Sequence, residues 1–320
     1  MEIRFIDHPV KILVSQYDEL KMKLVNQLLS NNSVLAVYQM GSVKDPGISD
    51  LDIICVFKNN SECAINLRKG LSSSEKKILT HGIFGLEERD IELTISNNLL
   101  SNLQLLGGKN LNLNNYEVIF NQDLRDQIAL EYMIKMFITL DVQTKLGIVK
   151  LRSFLLLGKA IMFDLELLGI KEGKLFDAVN QVLHYRNVWY DNKPQEKDVK
   201  ELILNFYAAL ENLLIKILED KGFYLPNHNI SLPGGFKINR GEPFQKHHKG
   251  LVLPSLFQFF GKKYINLQYR LNTFAYQIPY SVPNSDTFLY KRFKFSEQMV
   301  TRNRVSFPNF MSVTSSLSMY

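Results

Sequence analysis

The sequence predicts an α+β protein: a mixed sheet with flanking helices, then a helix bundle, then a basic, aromatic-rich C-terminal region. Three observations carry that expectation. Short β-prone runs, Val34–Gln39 and Leu51–Phe57, lie among turn residues in the first part of the chain. From Asp123 the apolar residues recur at three- and four-residue spacing over long stretches. After Phe223 the chain is rich in Pro, Asn, aromatic residues and cations. The expected boundaries are 1–122, 123–224 and 225–320.

Each element follows from its residues. Tyr17, Leu20, Leu24, Leu28 and Leu29 make a helical stripe within Ser15–Asn32, with Ser15 as a candidate N-cap. Val34–Gln39 is apolar and β-prone, and Leu51–Phe57 (LDIICVF) reads as a second, mostly buried strand. Between them, Met40–Ser49 is dense in turn chemistry. In Arg89–Ile95, Ile91, Leu93 and Ile95 alternate with Asp90, Glu92 and Thr94, which predicts a third strand. Tyr116–Phe120 reads as a further strand. Helical periodicity runs from Asp123 to about Gly169, then over Lys174–Asn187 and Glu196–Asp220. Gly147, Gly169, Gly173 and Gly222 mark places where helices end or pack.

Composition excludes several classes. With 46% hydrophobic and 22% charged residues, the chain is neither disordered nor collagen-like. Lys+Arg is 38 against 32 Asp+Glu, a net +6, and the surplus is local. From Leu225 to Tyr320 there are 12 basic and 3 acidic residues, which leaves 26 and 29 for the rest. The last third therefore suits an anionic partner. Two cysteines, Cys55 and Cys63, make no disulfide framework and suit a reducing compartment. The N-terminus has no signal-peptide pattern, and Lys159, Asp164 and Glu166 interrupt the greasiest stretch, Phe154–Ile170. A cytoplasmic protein with no membrane partner is expected.

The chemistry concentrates in Gly41-Ser42, seven further residues, then Asp50-Leu51-Asp52. Carboxylates at i and i+2 of a strand share a face, and like charges so close repel unless a cation lies between them. Oxygen ligands of this kind suit Mg2+ together with substrate phosphates. Gly41 permits a tight turn in which Ser42 and backbone N–H groups meet a phosphate. Asp90 or Glu92, on its own alternating run, offers a third carboxylate.

Met40-Gly41-Ser42, Asp50-Leu51-Asp52-Ile53 and Ile91-Glu92-Leu93, in that order, resemble the signature of the polymerase-β-like nucleotidyltransferase superfamily. The likeness covers about Val34 to Ile95; Tyr116–Asn121 before a helix bundle adds a looser likeness to the small-molecule nucleotidyltransferases. The resemblance implies a nucleotidyltransferase fold in 1–122, with 123–224 as a helical substrate-binding domain. It implies transfer of a nucleoside monophosphate from an NTP, with ATP the expected donor, to a hydroxyl of a small molecule or protein. Asp50, Asp52 and Glu92 would be catalytic and hold two Mg2+ ions, with Asp90 the rival third carboxylate. Gly41 and Ser42 would cradle the phosphates, and Lys150 or Arg152 would neutralise them. RNA is the alternative acceptor, through aromatics and cations such as Phe257, Lys262, Lys263 and Arg270. A nucleotide-binding module of the same fold without turnover is the remaining alternative. The His247-His248 pair lacks further ligands at matching spacing and reads as a surface pair.

Overall fold

A computed structural model describes residues 3–116, 121–226, 230–232 and 235–314, and it is an α+β structure. The first elements are β1 (Arg4–Ile6), α1 (Val14–Leu29), β2 (Val34–Met40), β3 (Asp52–Phe57), α2 (Glu75–Ile78) and β4 (Phe84–Glu87). Then come α3 (Ile91–Asn98), β5 (Leu103–Gly108), α4 (Gln122–Lys145), β6 (Ile148–Lys150) and α5 (Leu151–Leu167). α6 (Lys174–Val188), α7 (Glu196–Asp220), β7 (Ile230–Leu232), β8 (Phe236–Arg240) and β9 (Gln245–Gly250) follow. α8 (Lys262–Leu271), β10 (Asn272–Ile278) and α9 (Phe288–Ser306) complete the order.

The chain forms two compact units. A sheet unit holds Val10–Asn121 and Tyr290–Met319; a helical unit holds Met1–Pro9 and Gln122–Leu289. The expected C-terminal region is thus divided: 225–289 joins the helical unit and 290–319 the sheet unit.

In the sheet unit the strand order is β4-β3-β2-β5. β2 is antiparallel to β3 and β5, and β3 is parallel to β4. The apolar run of β3 is continuous because both faces of the sheet are covered. Cys55 and Phe57 pack with Tyr17, Leu20, Leu24 and Leu28 of α1. Ile54 and Val56 pack with Ile91 and Ile95 of α3 and Met299 of α9. Residues after α9 finish the first of these layers: Phe307 stacks on Phe57 at 4.1 Å, and Phe310 meets it edge-on at 4.9 Å. Gly85 donates to the Met311 carbonyl, and Met311 to that of Ile83, each at 2.8 Å. At Gly108, with φ +87°, a Cβ would lie 2.3 Å from the Leu35 carbonyl oxygen, so only glycine lets β5 approach β2 this closely.

Two local expectations are corrected. Arg89–Ile95 is not a strand: Glu88–Asp90 forms a 3-10 turn and α3 begins at Ile91. Ile91, Thr94 and Ile95 are buried while Leu93 is 52% exposed, which is helical periodicity. Residues i and i+4 share a face in a helix as well as in a strand, so Ile91 and Ile95 satisfy either and only Leu93 tells them apart. At the start of α1, Leu13 N–H donates to Gln16 Oε1 at 2.9 Å, so Gln16 rather than Ser15 caps the first turn. Residues 117–120 of the expected strand Tyr116–Phe120 lie outside the described residues.

In the helical unit, α4 is buried around most of its circumference, with α5, α7 and β6 packed against it. The long helical run expected from Asp123 breaks at Gly147, whose φ is +64°. β6 follows and pairs in parallel with β1. α5 and α6 approach closely at Gly158, where a Cβ would lie 3.3 Å from Val182 Cγ1. A second sheet, ordered β7-β8-β10-β9, belongs to the same unit. Asp141 of α4 ties it to the helices: its oxygens accept from Tyr207 of α7 at 2.6 Å and Tyr276 of β10 at 2.7 Å. Among the described residues no helix is long and apolar enough to cross a membrane. Cys55 and Cys63 are free and buried.

Candidate metal centre

β2 ends at Met40, which lies opposite Asp52, the first residue of β3. The register therefore sets the Gly41-Ser42 turn beside the acidic pair. Gly41 takes a φ of +68°, and its N–H donates to the Asn102 carbonyl at 3.1 Å. The loop then closes on itself, with Ser49 N–H donating to the Asp45 carbonyl at 2.8 Å. The Tyr17 hydroxyl donates to the Ser49 carbonyl at 2.7 Å and accepts from Gly47 N–H at 2.9 Å. A tyrosine that the helical stripe marks only as core thus fixes the loop that delivers Asp50. Leu51 is fully buried, and its N–H donates to the Ile78 carbonyl at 3.0 Å. With Leu51 turned inward, Asp50 and Asp52 share the opposite face.

The third partner comes from the residues just before β4. Thr80 donates to Asp50 Oδ2 at 2.8 Å. His81 Nε2 lies 2.6 Å from Asp52 Oδ1 and 3.8 Å from Asp50 Oδ2. His81 Nδ1 lies 2.7 Å from the Gly82 carbonyl; a carbonyl only accepts, so Nδ1 carries a proton. One ligand atom from each of Asp50, Asp52 and His81 lies within 4.8 Å of the others. Among the described residues no other group of three His, Cys, Asp or Glu converges in this way.

The electrostatics match the geometry. Burial, then the Asp52 charge, holds the Asp50 carboxyl above its ordinary value, against the pull of Thr80 and His81. Burial draws the His81 imidazole down. The hydrogen bond and charge of Asp52, the Gly82 carbonyl and Asp50 outweigh it, and the net shift is upward.

The remaining sequence candidates fall elsewhere. Glu92 does not join the acidic pair, and neither does Asp90. β4 runs parallel to β3 with Glu87 opposite Phe57, so residues 88–92 follow the far end of the strands. Asp52 to Phe57 is five steps, roughly 16 Å at a strand's rise per residue. Asp90 is ion-paired with Arg302, and Glu92 is exposed on the first turn of α3. Ser42 is exposed at the turn. Lys150 and Arg152 belong to the helical unit. Lys150 is the last residue of β6, and burial, with Lys262 adding, lowers its ammonium pKa while Asp7 opposes. Arg152 is buried, and its N–H donates to the Asp7 carbonyl at 2.9 Å.

His81 is the residue the sequence reading missed. Placing the third strand at 89–95 removes the clue. With β4 at Phe84–Glu87, the pairing of Ile54 with Phe84, extended back two residues, sets Gly82 level with Asp52. Two carboxylates and one imidazole fit a divalent cation, although Mg2+ favours oxygen donors alone. No family model, curated protein or solved structure matches the chain.

Proposed function

We propose that the protein is a metal-dependent nucleotidyltransferase. It moves a nucleoside monophosphate from an NTP, ATP first, to a hydroxyl on a small molecule or protein and releases pyrophosphate. One observation carries this reading: a glycine-serine turn and an i, i+2 acidic pair, brought side by side by the antiparallel register of β2 and β3. That is the order and pairing of the superfamily signature these residues resemble. The same sheet, flanked by helices, supports a nucleotidyltransferase architecture for the sheet unit.

Asp50 and Asp52 would hold the divalent cation, with His81 at its edge. The cation, when bound, neutralises triphosphate charge and lowers the pKa of an acceptor hydroxyl. Gly41 leaves room for close backbone approach, and the exposed Ser42 hydroxyl is free to meet a phosphate oxygen. Tyr17 and the closed 45–49 loop hold Asp50 in place before substrate arrives, so little reorganisation accompanies binding. The acceptor oxygen bonds to the α-phosphorus, the bond from that phosphorus to the β-phosphate bridge oxygen breaks, and the hydroxyl proton passes to solvent. Glu92 has no part in this scheme. RNA is the second reading for the acceptor: Arg292 and Arg302 are tied up within the sheet unit, but Lys262, Lys263 and Arg270 are exposed.

The test is incubation with each α-labelled NTP and Mg2+ or Mn2+, with cell metabolites, protein or RNA added. Label from ATP is expected in a small-molecule or protein fraction, matched one-for-one by pyrophosphate. Absence of pyrophosphate from every NTP under both cations would rule the reading out.

A further inference from the structure

We infer that His81 is a direct ligand of the cation through Nε2, and that it makes the centre select Mn2+ over Mg2+. The inference rests on the reading that Asp50 and Asp52 hold a divalent cation, and it adds the identity of the third ligand and of the metal.

Geometry supports it first. Nε2 is the ring atom that faces both carboxylates, at 2.6 Å from one and 3.8 Å from the other. The ring is held from behind: Nδ1–H donates to the Gly82 carbonyl, and the imidazole packs against Phe84 at 5.1 Å between centroids. A backbone carbonyl on the distal nitrogen is the usual device that fixes the tautomer and aim of a metal-binding histidine. Asp50 is held in the same manner by the Thr80 hydroxyl. Both restraints come from one short segment that leads into β4, itself paired to β3, so the donors sit on a rigid frame.

Chemistry then chooses the metal. Mg2+ takes oxygen ligands and keeps much of its water. An imidazole in the donor set shifts preference from Mg2+ toward first-row transition metals, and Mn2+ is the member of that row that shares the preference of Mg2+ for carboxylates and water. Two carboxylates and one imidazole therefore discriminate Mn2+ from Mg2+, whereas three carboxylates would do so only weakly.

The decisive experiment is pulsed EPR of the wild-type protein loaded with Mn2+ alone. Nitrogen modulation from a coordinated imidazole is expected, together with Mn2+ binding at least ~10-fold tighter than Mg2+ by competition calorimetry. His81→Asp should abolish the nitrogen signal and bring the two affinities within about three-fold of each other. His81→Asn should abolish the signal while weakening Mn2+ more than Mg2+. Bound Mn2+ without nitrogen modulation, an unchanged preference in His81→Asp, or no Mn2+ binding at all would overturn the inference. The readouts need no NTP. Nitrogen modulation in a protein that releases no pyrophosphate sustains this inference and removes only the transferase reading. Pyrophosphate release without nitrogen modulation does the reverse.

Discussion

Both units draw carboxylates out of water, but they complete them differently. In the helical unit, each oxygen of Asp141 accepts a tyrosine hydroxyl, and Lys246 Nζ lies 3.6 Å from one of them. Those donors come from α7, β10 and β9, so the carboxylate fastens three elements to α4. Lys246 also reaches Glu211 at 2.5 Å and lies over the rings of Phe137 and Tyr207. Burial first, then Asp141, holds the Tyr207 and Tyr276 hydroxyls well above the usual phenol range, so they remain donors. In the sheet unit, two carboxylates share one face. Among the described residues, Asp50 takes one side-chain hydrogen bond, from Thr80, and Asp52 faces His81 Nε2 at 2.6 Å. Both partners come from a single segment on one side. A carboxylate saturated from several elements is a fastening; a repelling pair supplied from one side is the arrangement we propose to take a cation.

The comparison predicts opposite phenotypes. Asp52→Asn should reduce nucleotidyl transfer at least ~100-fold, as expected when charge stabilisation at the reacting phosphate is lost. The melting temperature should hold, because the mutation removes the charge that repels Asp50 along with the one that pairs with His81. A large loss of thermal stability in this variant would place the pair with Asp141 as a structural device.

Asp141→Ala should do the converse. It strands the Tyr276 hydroxyl and leaves Tyr207 only Glu211 as acceptor, which costs about 2–3 kcal/mol at ordinary penalties for stranded polar groups. Urea unfolding followed by circular dichroism measures this directly. A loss under ~1 kcal/mol would show that water replaces the carboxylate and that the cluster is no fastening.

The contrast between these sites was only half visible in the sequence. The β2–loop–β3 segment could be read because turn residues separate two apolar runs, and α6 and α7 because their stripes are long. The third partner could not. β4 contributes only Phe-Gly-Leu-Glu, too short to show alternation, while the neighbouring Ile91-Glu92-Leu93 imitates it. Composition misleads in a similar way after Tyr290: it counts charges but not their partners. Arg292, 1% exposed, donates to the Asn97 carbonyl at 2.9 Å. Arg302 bonds to Glu87 and Asp90.

That last pair gives a smaller test. Glu87 is 1% exposed, and Arg89 as well as Arg302 contacts it. Arg302→Met should cost about 2 kcal/mol, less than the ~3–5 of a fully stranded buried charge, because Arg89 stays. Glu92→Gln should leave both stability and transfer within about two-fold of wild type, since an exposed surface change away from the chemistry is near neutral. A hundred-fold loss of transfer in Glu92→Gln would return Glu92 to the acidic pair and displace His81.

The smallest effect separates saturation from burial. Glu75 is as well supplied as Asp141: Lys23 Nζ donates to Oε1 at 2.7 Å and Ser72 N–H to Oε2 at 2.6 Å. It lies at the surface, however, where solvent screens the pair. Lys23 first, then the Ser72 N–H, lowers its carboxyl from 4.5 to about 2. The sign follows from that direction. A depressed carboxylate contributes stability that is present above pH 4.5 and is lost as the pH falls through about 2. Lys23→Met should therefore cost only ~0.5 kcal/mol at pH 7, the usual worth of an exposed pair. The difference from wild type should shrink toward zero as urea titrations move from neutral pH down to about 2. A difference that stays constant with pH would mean Lys23 acts through its packed stem rather than its charge. A difference as large as that of Asp141→Ala would mean that saturation, not burial, decides what a carboxylate contributes to this fold.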